Sequence, residues 1–350
     1  MRLVVLGACR RLIRPFGEEC DSPIRFPVAS STSPRSAETC GKGGDMIATL
    51  LDRMARKRTT PEREAARRRV VAYFDASNRD YGVWSDDFNM HFGFWRRGLA
   101  PWRLEPMLRQ MSLEIVDRLG IADDRPVRLV DLGGGVGASA RTIARRYPLA
   151  EIDVVTTVAS QIELGRELNE RAGLSDRIRM VLADYADTGL DTEAYDGAWA
   201  LESACQSPDA SKRVLLDEAY RLLGFGGRLV IADGCLKGPP PRGITGRIHR
   251  RWARAWAIDE LMRLDLAPAA ARDAGFDAVR IEDWTWRVVP SLLHVPAALA
   301  RFAWRERGHW REVVRGRREH LIGSALSLPL ALRLDRFAYG ALIAEKRADR

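Results

Sequence analysis

The chain has 350 residues, 46% of them apolar and 29% charged. That suffices for one large domain or two small ones with a sizeable core, and it excludes wholesale disorder. Its 56 Lys and Arg against 47 Asp and Glu leave a formal charge of +9, carried mostly by arginine. Such basicity permits contact with nucleic acid or an anionic membrane without demonstrating either. The five cysteines (Cys9, Cys20, Cys40, Cys205 and Cys235) form no CxxC pair and have no histidine cluster beside them. No metal site is expected, and a sparse, odd count suits a reducing compartment, the cytoplasm. No apolar run reaches the roughly 18–20 residues of a membrane-crossing helix.

In chain order, the run Leu3 to Cys9 is too short for a signal-peptide core, and Arg10 and Arg11 follow at once. Ser22 to Asp45 is rich in Ser, Pro and Gly and has no hydrophobic period. Residues 1–45 are therefore expected to be a disordered extension, or a mis-called start with Met46 the functional one. Ile47, Leu50, Leu51 and Met54 then recur at helical spacing, and Arg53 to Arg69 reads as a solvated helical face. Tyr73 to Trp95 is unusually dense in aromatic residues. A helix is predicted over Pro106 to Leu119, with Pro106 at its first position. Residues 46–125 thus form a helical and aromatic lid.

From Val127 the texture changes. Strands are predicted at Val127–Leu132, Ile152–Thr157, Ile178–Leu182, Gly197–Leu201 and, after a turn at Gly224–Gly227, Arg228–Ala232. Helices fall at Ala138–Arg146, Ala159–Ala172 and Ser211–Leu223. Repeated β-α units of this length imply an α/β fold: a Rossmann-like, doubly wound, mostly parallel sheet of seven strands. Gly275–Ile281 and Phe337–Lys346 supply its last two strands. Helical insertions at about 237–265 and 289–336 are expected as lids over the carboxyl ends of the strands, where open sheets bind ligands. Residues 126–350 make up this second region.

The sharpest local feature is Asp131 followed by Gly133, Gly134, Gly135, Val136 and Gly137. A strand feeds a glycine turn that opens a helix, as a nucleotide-type ligand requires. Gly133, Gly135 and Ala138 fit a dinucleotide pattern, and Gly133, Gly135 and Gly137 fit G-x-G-x-G. Three further stretches follow in order: Ala183-Asp184-Tyr185, then Tyr195 to Ser203 (YDGAWALES), then Arg221 to Leu229 (RLLGFGGRL).

Together these stretches resemble the class I S-adenosylmethionine (SAM)-dependent methyltransferases, in particular the tocopherol, sterol and cyclopropane-fatty-acid subgroup. The resemblance covers roughly residues 70–237 and the final strand, with Phe225 replacing the usual Pro of the last motif. It implies SAM as cofactor, with Asp131 and the glycine loop as its acidic-plus-glycine motif and Asp184 and Tyr185 near the adenine. The usual ribose-binding acid is replaced by Thr156, and Thr156 with Gln161 is implied to take over that contact. A nicotinamide enzyme would want the missing acid.

The same resemblance makes the aromatic segment a lid over the sulfonium, with Tyr81 as its wall, since an aromatic face attracts a cation without competing as a nucleophile. His91 is a candidate proton acceptor or lid anchor. Glu202 is a second catalytic candidate and a contact for the SAM amino group. Cyclopropane synthases carry an acid and a His where this chain has Cys205 and Gln206, which argues against that chemistry. Transfer of a methyl group to a small, lipophilic O, N or activated C nucleophile is the favoured reading. The second insertion, rich in Leu and Trp, suits an apolar acceptor, and its arginines suit peripheral contact with a membrane. An RNA-binding or RNA-modifying role is the alternative; the strand-four motif lacks N-P-P-[YF], so a nucleic-acid partner is not expected. The oligomeric state is left open.

Overall fold

The computed structural model describes residues 60–305, 307–308 and 310–347. The expectations for residues 1–59, including the extension and Met46 as a start, lie outside these.

The strand that feeds the glycine loop is β1 (Val127–Leu132), with only Arg128 exposed. It pairs in parallel with β2 (Ala150–Thr156) on one side and β4 (Tyr195–Leu201) on the other. Strand β3 (Ile178–Leu182) continues beyond β2, and β5 (Leu223–Leu236) beyond β4. Strand β8 (Phe337–Glu345) then runs antiparallel between β5 and β7 (Ala278–Asp283). The order β3-β2-β1-β4-β5-β8-β7 contains the seven strands expected, and β6 (Met262–Arg263) adds an eighth beside Cys235 and Leu236. Two residues carry no period that a sequence could reveal.

Alternate residues of β1 divide between the two faces, as the pleat dictates. Leu129 packs with Met111, Ile115 and Ile143, from α3 (Leu104–Leu119) and α4 (Ala138–Arg146). Ile162 of α5 (Ala159–Arg171) joins the same cluster. Val130 packs with Leu215, Leu216 and Leu222 of α6 (Arg213–Leu222) and Ala267 of α8 (Ala267–Asp273). From β1 the chain winds outward to β2, and from β4 outward the other way, so a crevice opens at their carboxyl ends.

Some boundaries differ from the sequence pattern. Helix α3 starts at Leu104, so Pro106 lies within the first turn, where a missing N–H still has no intrahelical partner to lose. Strand β5 runs through the glycine turn, with a register shift between Tyr195 and Gly197 on β4. Strand β7 begins after Gly275, whose φ of +108° turns the chain. The second insertion opens at Thr285, whose N–H is accepted by Asp283 at 2.9 Å.

The cap over the crevice comes from both ends of the described chain. Its first part is α1 (Thr60–Ser77) and the single turn α2 (Tyr81–Trp84). The rest is α7 (Gly243–Ala255), α9 (Thr285–Leu292), α10 (Val295–Arg305) and α11 (Trp310–Ala331). Trp252 donates from Nε1 to Ser327 Oγ at 2.9 Å, joining α7 to α11. Tyr73 of α1 meets Trp256 edge-on, centroids 6.2 Å apart. Among the described residues no helix is long and apolar enough to cross a membrane.

Candidate functional site

The glycine loop owes its shape to three left-handed residues, Gly133, Gly135 and Gly137, at φ +86°, +56° and +78°. Only glycine takes such angles without cost. Space matters as well: a Cβ on Gly134 would lie 2.4 Å from the Asp131 carboxyl, and one on Gly133 2.5 Å from Ser203 Cβ. Gly133 and Gly134 both donate to the Val155 carbonyl, at 3.0 and 3.1 Å, which pins the loop to β2. Asp131 lies beneath it, buried, with Oδ2 lacking a hydrogen-bond partner. Burial pushes this carboxyl well above the ordinary range.

A cleft follows the loop. Asp131, Gly133, Gly134, Gly135, Thr156, Gln161, Tyr185 and Glu202 all line it. Thr156 donates from Oγ1 to Gln161 Oε1 at 2.6 Å, and the Gln161 amide donates to Asn78 Oδ1 at 3.0 Å. Asn78 in turn donates to Ser160 Oγ at 2.8 Å, so the segment after α1 is tied to the start of α5. The Tyr185 hydroxyl lies 3.3 Å from the Ser203 carbonyl.

Three residues expected at this cleft stand elsewhere. Gly137 is the N-cap of α4. Asp184 accepts the Ala186 N–H at 2.9 Å and shapes a turn, while its neighbours Ala183 and Tyr185 reach the cleft. Tyr81 lines a second cavity and holds its hydroxyl 3.4 Å from that of Tyr73.

That second cavity has a volume of about 210 Å³ and lies under the cap, walled by α1, α2, α7, α10 and α11. Phe74, Met90, His91, Glu202 and Gln206 line both spaces, so they form the partition between them. Glu202 follows β4 at φ +50°, a left-handed angle of the kind that costs roughly 1–3 kcal/mol and gathers at functional sites. Its Oε1 accepts the Phe92 N–H at 2.7 Å and the Tyr339 hydroxyl at 2.8 Å. Burial pushes the carboxyl up to about 8, against those two hydrogen bonds and with help from Asp233 nearby. His91 is buried between Phe92 O, 2.8 Å from Nδ1, and the Asn89 amide, 3.1 Å from Nε2. Burial lowers its imidazole to about 4, so the ring is neutral at pH 7.

Sequence reasoning missed three residues that assemble this site. Asn78 bridges the aromatic segment to Gln161. Arg141, buried in α4, donates to Val136 O at 2.6 Å, Asn169 Oδ1 at 3.2 Å and Asp87 O at 3.0 Å, clamping the loop to the lid. Tyr339 brings β8 to Glu202. The one signal available was that polar residues stand within otherwise apolar stretches.

Residues 129–227 match the family model described as a methyltransferase domain. Over 166 residues the chain is 27% identical to sarcosine/dimethylglycine N-methyltransferase of Aphanothece halophytica, covering 46% of this chain and 56% of that protein. Over 159 residues it is 27% identical to cycloartenol-C-24-methyltransferase 1 of Oryza sativa subsp. japonica, covering 45% of each. The chain spans about half the length of these curated relatives. Its fold matches the solved structure of geranyl diphosphate C-methyltransferase from Streptomyces coelicolor A3(2). There the TM-score is 0.57 and the identity 20%, over 78% of this chain and 98% of that one.

A parallel sheet with a glycine loop after its first strand, an acid beneath that loop and a Thr–Gln pair at the second strand define a class I SAM-binding fold. Residues 129–227 carry a methyltransferase domain, and the chain is similar to class I SAM-dependent methyltransferases of the sarcosine, tocopherol and sterol subgroup.

Proposed function

We propose that the chain transfers the methyl group of SAM to a small, lipophilic acceptor held in the second cavity. The observation that carries this reading is the shared partition: a glycine-loop cleft and an aromatic cavity meet at Met90, His91, Glu202 and Gln206. In this reading Gly133, Gly134 and Gly135 receive the amino-acid part of SAM, and Thr156 and Gln161 receive the ribose. Tyr185 packs at the adenine, and Glu202 faces the cofactor's amino group or the acceptor. When bound, SAM supplies an activated methyl group on sulfur. The chain supplies alignment and a dry setting, which suffice for much of an in-line displacement. His91, a neutral ring that donates from one nitrogen at a time, to the Phe92 carbonyl or the Asn89 amide oxygen, serves as a positioning residue for the partition. Tyr81 shapes the acceptor side.

Among the described residues neither cavity is lined by Lys or Arg, which favours a small apolar acceptor over a nucleic acid. A cytoplasmic location with peripheral membrane contact belongs to the same proposal.

The test is calorimetric titration of S-adenosylhomocysteine into the full chain, with NAD as a control. Micromolar binding is expected. It should be lost in Gly135→Val, which fills the cradle, and weakened at least about tenfold in Asp131→Ala. Binding of NAD instead, or of neither ligand, would overturn the reading.

A further inference from the structure

Helix α9 has two faces. Val288 and Ser291 are buried, while Trp286 and the C-cap residue Leu293 are 68% and 69% exposed. Seven residues apart, these two stand on one side of the helix, two turns from each other. Trp102 lies close by at 77% exposure, since the carbonyl of its neighbour Pro101 is 2.8 Å from Nε2 of His294. Helix α10 follows at once. Its inner side, with Val295, Ala298, Leu299 and Phe302, lines the second cavity, and Trp304 is exposed on it. Large apolar side chains gathered in water mark a surface that another phase or molecule covers. The charge around them has one sign. Arg96, Arg97, Arg103, Arg287, Arg301 and Arg305 are exposed, and residues 95–104 and 284–305 contain no Asp or Glu. Glu105, Asp283 and Glu306 border these segments in the sequence. The first two accept the Asp86 and Thr285 N–H groups, at 2.7 and 2.9 Å. Arg96 also faces Glu114 at 3.8 Å, and Arg301 reaches Val83 O at 3.4 Å. Indole rings set among guanidinium groups match the headgroup layer of a bilayer, where the rings sit at the interface and the cations meet lipid phosphates.

We propose that this face of the cap docks on an anionic phospholipid bilayer, with Trp102, Trp286 and Leu293 in the headgroup layer and the surrounding arginines on lipid phosphates. Docking of this kind lies on the membrane and requires no spanning helix. A nucleic acid would use the arginines but has no use for an exposed Leu293 beside two indoles. The geometry has a consequence for the second cavity, which rests on the methyltransferase reading and deepens it. Helix α10 stands between the docked face and the cavity that its inner side lines. An acceptor dissolved in the bilayer then has only about the width of one helix, roughly 10 Å, to travel to reach the partition. It need not cross bulk water on the way.

The test is co-sedimentation of the full chain with vesicles of phosphatidylcholine alone, or with about 30% phosphatidylglycerol added. Binding to the anionic vesicles is expected to be at least about tenfold stronger and to fall as salt is raised. Trp286→Ser with Leu293→Ser, and separately Arg97→Glu with Arg103→Glu, should each weaken it at least about fivefold. Arg250→Glu with Arg254→Glu, a basic pair on α7, should leave it unchanged. Lipid brominated near the headgroup should quench the tryptophan emission of the parent, and less so that of the Trp286 variant. Circular dichroism verifies that each variant is folded, and the two test pairs stand on different segments, so one misfolded variant leaves the other as a test. No binding to vesicles, equal binding to both kinds, or loss through the α7 pair instead overturns the proposal. So does a dimer in sedimentation velocity that the apolar variant splits, which would place a second copy on this face. Tight binding of duplex nucleic acid, lost in the Arg97 and Arg103 variant and kept in the apolar one, also overturns it. Vesicle binding is read without cofactor, so its failure and a failure of S-adenosylhomocysteine to bind are separate results.

Discussion

Glu202 binds its proton more tightly in the folded chain than in the unfolded one, because burial holds it up to about 8 against an ordinary 4.5. In that window the folded state carries the extra proton, so stability falls as the pH rises from about 4.5 to about 8 and levels off above. Asp233, raised by burial to about 6, adds the same sign over a lower window. Glu202→Gln keeps an oxygen for the Phe92 N–H and the Tyr339 hydroxyl but loses the titration. Its melting temperature, relative to the parent, is expected to climb by a few degrees between about pH 5 and about pH 9. Melting curves at both pH values test this, and a constant gap would contradict it. His91 behaves differently. A ring lowered to about 4 does not titrate near neutrality. His91→Asn should therefore cost about tenfold in turnover, below the 10²–10⁴ of a general base, and leave the pH profile between about 6 and 8 in place. A displaced limb in that profile would show His91 to be a proton acceptor instead.

At the scale of elements, Arg141 bridges the glycine loop and the lid, with one bond to Val136 O and one to Asp87 O. Burial lowers its guanidinium to about 10, still charged at neutral pH. Arg141→Met keeps the bulk but strands the carbonyls of Val136 and Asp87, a loss of about 1–3 kcal/mol for each buried group left unpaired. Chemical denaturation should register that loss, and hydrogen exchange should rise across residues 84–95; unchanged exchange there would remove the clamp from the account. This same element explains what the sequence could and could not tell. Strand β1 and its loop were legible because a buried strand ending in glycines leaves a local pattern. Thr156 and Gln161 were legible as a pair because they lie five residues apart. Arg141, Asn78 and Tyr339 were not, since Arg141 meets Asp87 across 54 positions, Asn78 meets Gln161 across 83, and Tyr339 meets Glu202 across 137. Within the aromatic segment, α2 turns Tyr81 toward the second cavity while Met90 and His91 line both spaces.

For the whole molecule, ligand binding and folding are linked. A ligand that binds only the folded chain stabilises it by about 2.7 kcal/mol at a hundredfold excess over its dissociation constant. S-adenosylhomocysteine should thus raise the melting temperature by several degrees for a chain of this size, in proportion to the logarithm of its concentration. NAD should not. The sheet also dictates an order of assembly. Because β8 lies between β5 and β7, those two strands share no bond with one another, and β7 has nothing to pair with until β8 arrives. Tyr339 rides on that same strand. A nascent chain emerging from the ribosome therefore holds its glycine loop early but exposes one raw edge of β5 until residues 337–345 are made. For that interval it is a client for chaperones and for unwanted strand pairing, and Glu202 lacks its phenol.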